Sequence, residues 1–299
     1  MVRERLIHRH DPATPTASPT WSILLGMARR QRRRRRGTAG EGSDPTIAEG
    51  GSRRQPRTGR LSVRRLRNLW PVLMIQAAHP RQALATSLGV AAVAALAGRP
   101  TREVGVVALT VLVGQTILGW HNDLVDRERD ARHHTPGKPI ADGRLDPGSV
   151  WYAVTIAVLL LVPLSITTGV TAGINYLISV MIGLLANVAL RRGLFSWVPW
   201  ALSFALYPAY ISYGGWGGAA EGPPPEVVMT LLAGLLGIGV HFLRAIWGLV
   251  ADNEDGWRYL PLRIGLKLGA TRLLALTSTY LVLVTAGLCV AGTMVGLSR

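Results

Sequence analysis

An all-α, polytopic membrane bundle is the fold class this chain predicts, and three observations predict it. Beyond residue 70 the sequence is dominated by apolar blocks of about 18 to 22 residues, the length that crosses a ~30 Å hydrocarbon core at ~1.5 Å per residue. The gaps between blocks alternate between basic and nearly free of Lys and Arg, the charge signature of loops on opposite faces of a membrane. Residues 1–70 differ from the rest: they are polar and rich in Arg, Pro, Gly, Ser and Thr. The 299-residue chain therefore divides into a tail, 1–70, and a membrane domain, 71–299.

The tail is expected to be disordered. Its short apolar patch, Trp21 to Met27, is followed by its charge and lacks a cleavage-like site, so no signal peptide is expected. The run Arg29 to Arg36 holds seven arginines and one glutamine. Such a run is drawn to anionic lipid, at ~1 kcal/mol per basic residue near the surface. No aromatic interleaving or folded module accompanies it, so a nucleic-acid partner is not expected.

Gly, Pro and charge punctuate about seven expected spans, at 82–98, 104–121, 149–167, 171–190, 196–214, 227–247 and 273–296. Of the gaps between spans, 122–148, 191–195 and 248–272 carry most of the Lys and Arg; 168–170 and 215–226 carry none, and 99–103 holds two. By the positive-inside rule the basic gaps and the N-terminus are cytoplasmic and the C-terminus lies outside, in a multi-pass protein of the cell membrane surrounded by lipid. The single cysteine, Cys289, falls in the last block, so an intramolecular disulfide is excluded and cysteine-metal chemistry is not expected.

Against a net charge of +16, nine of the 17 acidic residues collect in two of the basic gaps. The first group follows the second span, as His121-Asn122-Asp123-Leu124-Val125-Asp126-Arg127-Glu128-Arg129-Asp130. Asp123, Asp126 and Asp130 fall at i, i+3 and i+7, so on a helix their carboxylates share a face. The second group, Asp252, Glu254 and Asp255, follows the sixth span. Oxygen-only clusters favour hard cations, and Mg²⁺ takes one or two carboxylates together with phosphate oxygens and water. A Mg²⁺-bridged diphosphate flanked by Lys or Arg is a good leaving group. An allylic chain on that diphosphate would explain a site set among membrane helices.

These residues resemble the UbiA family of membrane prenyltransferases. The resemblance rests on Asn122-Asp123-x-x-Asp126-x-x-x-Asp130, on Lys138-Pro139-Ile140-Ala141-Asp142-Gly143-Arg144-Leu145, and on Leu190-Arg191-Arg192 with Ser196-Trp197-Val198-Pro199. A third block runs from His241-Phe242 through Asp252 to Leu260-Pro261-Leu262-Arg263-Ile264-Gly265. The resemblance implies a helical bundle around a central cavity, closed by the two aspartate-bearing loops. It also implies Mg²⁺-dependent transfer of an isoprenoid group from a prenyl diphosphate to an acceptor at the cytoplasmic side.

On that reading Asp123, Asp126 and Asp130 are the catalytic, metal-binding carboxylates, and Asn122, Lys138 and Arg191 contact the diphosphate. Asp252 serves a second metal. The family's second motif is Asp-x-x-x-Asp, and Gly248 stands at its first position; Glu254 or Asp255 substitutes, and Asp255 shares a helical face with Asp252 at i, i+3. One span follows that motif, where family members usually have two or three. A protein that binds a lipid diphosphate without turnover, or a partner subunit, is the alternative.

Arg244, a charge inside the sixth span, reads as a substrate contact. Trp197, Trp200, Tyr207, Tyr210, Tyr213 and Trp216 read either as a cavity lining or, at the span ends, as interface anchors. His121 and His241 read equally as packing or catalytic residues, and His133 and His134 as loop residues.

Overall fold

The structure is a computed structural model, and it describes residues 68–215 and 222–295. All but the last three residues of the 1–70 tail, and also Trp216, lie outside the described residues. Among the described residues the chain forms ten α-helices and no strand.

Two short leading helices, α1 (Trp70–Ala77) and α2 (Pro80–Leu96), precede the long α3 (Thr101–Arg132). The chain continues through α4 (Pro147–Ile166), α5 (Val170–Val188), α6 (Val198–Ser212) and α7 (Val227–Ala245). Two short helices, α8 (Leu249–Glu254) and α9 (Leu260–Leu268), lead into α10 (Ala270–Met294). The expected spans thus coincide with α2 to α7 and α10. Five of these, α3, α4, α5, α7 and α10, are long and apolar enough to cross a membrane; α2 and α6 are shorter, at 17 and 15 residues.

Sequence explains the helix starts. Proline occupies the first turn of α1, α2, α4, α6 and α9, where its missing N–H belongs to the unpaired set anyway. Asp146 caps α4 by accepting from the Ser149 amide at 2.7 Å, which satisfies one of the orphan donors of that turn. Outward faces are apolar: Leu159 and Leu160 of α4 and Val282 and Leu283 of α10 are each at least 60% exposed. A continuous belt of such residues suits lipid, not water.

Packing runs α2 on α3 and α3 on α4, then α5 on α6, α6 on α7 and α7 on α10. Small residues let these helices approach, as packing in lipid requires. A Cβ at Gly119 would stand 2.6 Å from the Ala78 carbonyl oxygen, so glycine there admits the α1–α2 turn against α3. One helical turn later on the same face is Asp123, which is how that turn reaches the acidic cluster.

The connections separate into two sets at opposite ends of the bundle. At one end the Gly215 amide donates to Thr168 O at 2.6 Å, and Arg99 donates to Ile211 O at 2.6 Å. The turn before α2 and the connections after α3, α5 and α7 meet at the other end, through the contacts of the site below. The α3 helix carries the acids clear of the apolar layer, because its 32 residues reach about 48 Å against a hydrocarbon core of ~30 Å. The gap 248–272, read as a loop, contains α8 and α9; each is under ten residues long, too short for periodicity to separate from a loop.

Candidate functional site

Asp123, Asp126 and Asp130 project inward from the last turns of α3, and each is at most 7% exposed. Their helical spacing places them on one face, as expected. Each is met by a cation from another part of the chain. Lys138 Nζ donates to Asp123 Oδ1 at 2.5 Å and lies 3.3 Å from Asp130 Oδ2. Arg191 Nη1 donates to Asp126 Oδ1 at 2.5 Å. Asn122 Nδ2 donates to Asp126 Oδ2 at 3.1 Å, so Asn122 orients the carboxylate that Arg191 holds.

Two residues enter the site on left-handed backbone. His79 has φ 52° and Leu190 φ 62°, a region that residues with a Cβ seldom occupy. His79 immediately precedes Pro80, which starts α2, and its Nε2 lies 2.6 Å from Asp123 Oδ1. Leu190 turns the chain just before Arg191. Strain of this kind collects where a structure must aim a particular side chain.

The second cluster packs against the first through Arg129, on the same helix as the three aspartates. Arg129 Nε donates to Asp255 Oδ2 at 2.5 Å, and its Nη2 donates to Asp252 Oδ1. Tyr259 donates its hydroxyl to Asp252 Oδ2, and His133 Nε2 lies 2.9 Å from Asp255 Oδ1. Burial lifts the Asp252 carboxyl above its ordinary value, against the pull of Tyr259 and Arg129. Asp255 is held below its ordinary value: its desolvation, which pushes upward, is outweighed by hydrogen bonds from His133 and Arg129. Glu254 is more exposed and meets only His133, at 3.5 Å.

Trp257 joins the two clusters. Its ring lies 4.4 Å from the Arg129 guanidinium, 5.2 Å from that of Arg191 and 5.6 Å from that of Arg192. A tryptophan face can hold cations together by its quadrupole, and here it gathers three, of which Arg129 pairs with the second acidic group and Arg191 with the first. The Arg258 amide donates to Arg192 O at 3.0 Å, which closes this loop over the α5–α6 connection.

Below the charged layer a column of rings descends into the bundle. Trp200 lies 5.6 Å from His241 and 6.4 Å from Phe204, and Phe204 lies 5.5 Å from Tyr207. Tyr176 of α5 continues it, 6.3 Å from Tyr207 and 4.9 Å from Tyr210. From Trp200 to Tyr210 the column runs about 15 Å along α6 at ~1.5 Å per residue. Arg244 stands over Trp200 at 5.2 Å, at the boundary between charge and rings. His241 is bound to Ser196 Oγ at 3.0 Å, and His121 to Asn187 Nδ2 at 3.2 Å, so each is tied into helix packing.

Whether these residues suit a divalent cation differs between the clusters. Among the described residues no three His, Cys, Asp or Glu side chains converge to hold a metal by themselves. Mg²⁺ does not require that, since one or two carboxylates with substrate phosphates suffice. The first cluster fits: Asp123 Oδ2 is buried without a hydrogen-bond partner, and Asp130 Oδ2 is buried with no hydrogen bond and only the Lys138 ammonium nearby, at 3.3 Å, an arrangement that a cation or donor would stabilise. The second cluster does not fit in the same way, because all four carboxylate oxygens of Asp252 and Asp255 are engaged.

Of the expected site residues, the structure gathers Asn122, Asp123, Asp126, Asp130, Lys138, Arg191, Asp252 and Asp255 at one end of the bundle, with Arg244 at the head of the ring column. Sequence reasoning did not single out His79, Arg129, Trp257 or Tyr259. For His79 a signal was present, because a polar residue before proline at a span start is biased away from helix. For Arg129 the helical face was a signal: it sits three residues beyond Asp126.

A model of the UbiA prenyltransferase family matches residues 83–298. Among solved structures, a UbiA homolog from Archaeoglobus fulgidus bound to GPP and Mg²⁺ superposes with a TM-score of 0.55 at 16% identity, covering 71% of this chain and 77% of that one. Among curated proteins none matches.

Proposed function

Because the chain belongs to the UbiA prenyltransferase family, we propose that it transfers an isoprenoid group from a prenyl diphosphate to an acceptor, with Mg²⁺ at the Asp123–Asp130 cluster. The observation that carries this reading is the pairing of buried carboxylate oxygens on Asp123 and Asp130 that accept no hydrogen bond with Lys138 beside both and Arg191 on Asp126. Anionic residues alone would repel a diphosphate. Cations alone would bind it without needing such acids.

Asp123 and Asp130 would hold the metal, which would supply positive charge to the diphosphate leaving group. Lys138 and Arg191 would exchange part of their carboxylate contacts for diphosphate oxygens and meet the negative charge that develops as the carbon–oxygen bond breaks. Fixed cations in a water-poor site are effective there, because they need no reorganisation. Asn122 would keep Asp126 aimed at Arg191. Trp200, Phe204 and Tyr207 would take the apolar chain, and their faces would shield positive charge on the allylic carbon. Arg244, above Trp200, would mark the diphosphate end. The GPP and Mg²⁺ bound to the Archaeoglobus fulgidus homolog support a prenyl diphosphate as donor. The basic connections at the site end support a cytoplasmic placement of the site.

The test is incubation of membranes carrying the chain with radiolabelled prenyl diphosphates of several chain lengths and their lipid extract as acceptor. A Mg²⁺-dependent labelled lipid that disappears in Asp126→Asn is the expected result. Absence of product across donors rejects transfer. Retained diphosphate binding without product would assign a binding or partner subunit instead.

A further inference from the structure

We infer that this chain takes one divalent cation, at the Asp123–Asp130 cluster, and that Arg129 serves as a built-in second cation at the Asp252–Asp255 cluster. The inference rests on the reading of the first cluster as a metal–diphosphate site, and it places Arg129 where a metal held by Asp252 and Asp255 was expected. The two clusters differ in what their oxygens lack. Asp123 Oδ2 is buried with no hydrogen-bond partner, and Asp130 Oδ2 has no hydrogen bond and only Lys138 Nζ beside it, at 3.3 Å. Asp252 and Asp255 have no oxygen to spare: Arg129 takes one oxygen of each, Tyr259 the other of Asp252, and His133 the other of Asp255.

Gly248 supplies the second argument. At the first position of the second motif a carboxylate would extend the cluster, yet a Cβ there would meet Asp252 Oδ2 at 2.7 Å. The Asp252 side chain is folded back over the start of α8, and its amide donates to Gly248 O at 2.8 Å. In this arrangement the Asp252 carboxylate itself lies against Gly248. With one carboxylate fewer, the Arg129 guanidinium contacts both remaining carboxylates and offsets one of their two negative charges.

Arg129 is placed to act on substrate as well as on the two aspartates. Its Nε and Nη2 are committed to Asp255 and Asp252, while its Nη1 makes no hydrogen bond among the described residues. It arises from α3 one residue before Asp130, and Trp257 covers its plane at 4.4 Å. Guanidinium geometry, fixed and always charged, suits a position that would otherwise require a metal. Diphosphate held between the clusters would then meet a metal on one side and Arg129 on the other.

The experiment is Mn²⁺ titration of the purified full-length chain with geranyl thiolodiphosphate, followed by electron paramagnetic resonance to count bound ions. One Mn²⁺ per chain supports the inference. Two, with the spectral broadening of a coupled pair, overturn it while leaving the metal–diphosphate reading intact. None overturns both. In Arg129→Gln the count should rise to two, as the freed Asp252 and Asp255 take the ion that Arg129 replaced. A folded Arg129→Gln chain that stays at one removes Arg129 from the role.

Discussion

Lys138 Nζ sits 2.5 Å from Asp123 Oδ1 and 3.3 Å from Asp130 Oδ2, so one ammonium separates two buried carboxylates of the same helix face. Removing it should leave two like charges in a place of low polarity. Breaking a buried pair by deleting one partner costs ~3 to 5 kcal/mol. Lys138→Met should therefore lower the melting temperature by several degrees in metal-free detergent, and millimolar Mg²⁺ should restore more of it than in the parent chain. The exposed Lys267→Met should change stability by under ~0.5 kcal/mol. Equal loss in both variants, or no added response to Mg²⁺, would contradict the arrangement.

Close packing of α6 on α7 predicts a contrast among glycines. A Cβ at Gly237 would run into the Trp200 carbonyl and stand 2.8 Å from Phe204 Cβ. Overpacking of this kind costs ~1 to 3 kcal/mol, and here it also displaces the head of the ring column. At Gly89 and Gly105 a Cβ would meet nothing within 4 Å, and alanine in a helix is favoured over glycine by ~0.5 to 1 kcal/mol. Thermal unfolding should fall in Gly237→Ala and hold or rise in Gly89→Ala and Gly105→Ala.

The cap of α4 predicts an acid-side response. Hydrogen bonds from the Ser149 amide and hydroxyl hold the Asp146 carboxyl below its ordinary value of 3.8. A carboxylate favoured in this way stabilises the fold fully above the unfolded value and loses that contribution as pH falls through the lower folded value. Hydrogen exchange at the Ser149 amide should therefore be slow at neutral pH and accelerate, beyond the intrinsic pH trend, only in strong acid. In Asp146→Ala it should be fast throughout, and a protected amide in that variant would count against the cap.

What could be read ahead of the structure follows from the range of each signal. Apolar block length reports on a whole helix, and the spans at 104–121, 149–167 and 227–247 therefore landed on α3, α4 and α7. The spacing of Asp123, Asp126 and Asp130 is local to one helix, so their shared face was equally legible. Arg129 was not, because its partners lie 123 and 126 residues away and only tertiary packing brings α8 to α3. His79, marked only by the proline after it, lies 44 residues from Asp123 in sequence and reaches it through the close approach that Gly119 permits. A glycine at the first position of the second motif read as a missing ligand; the Asp252 carboxylate lies against it.

Sidedness is testable with the same geometry. The connections gathered at the acidic end contain Asp142, and those at the opposite end contain Glu226; both residues are exposed. Positive charge concentrates at the acidic end, and by the positive-inside rule that end is expected to face the cytoplasm. In a Cys289→Ser background, Glu226→Cys should react with an impermeant maleimide on intact cells, and Asp142→Cys should react only after the membrane is opened. Reactive Asp142→Cys on intact cells would invert the orientation and require the prenyl diphosphate to be supplied from outside. The labelling pattern therefore also bears on which acceptors the site can meet.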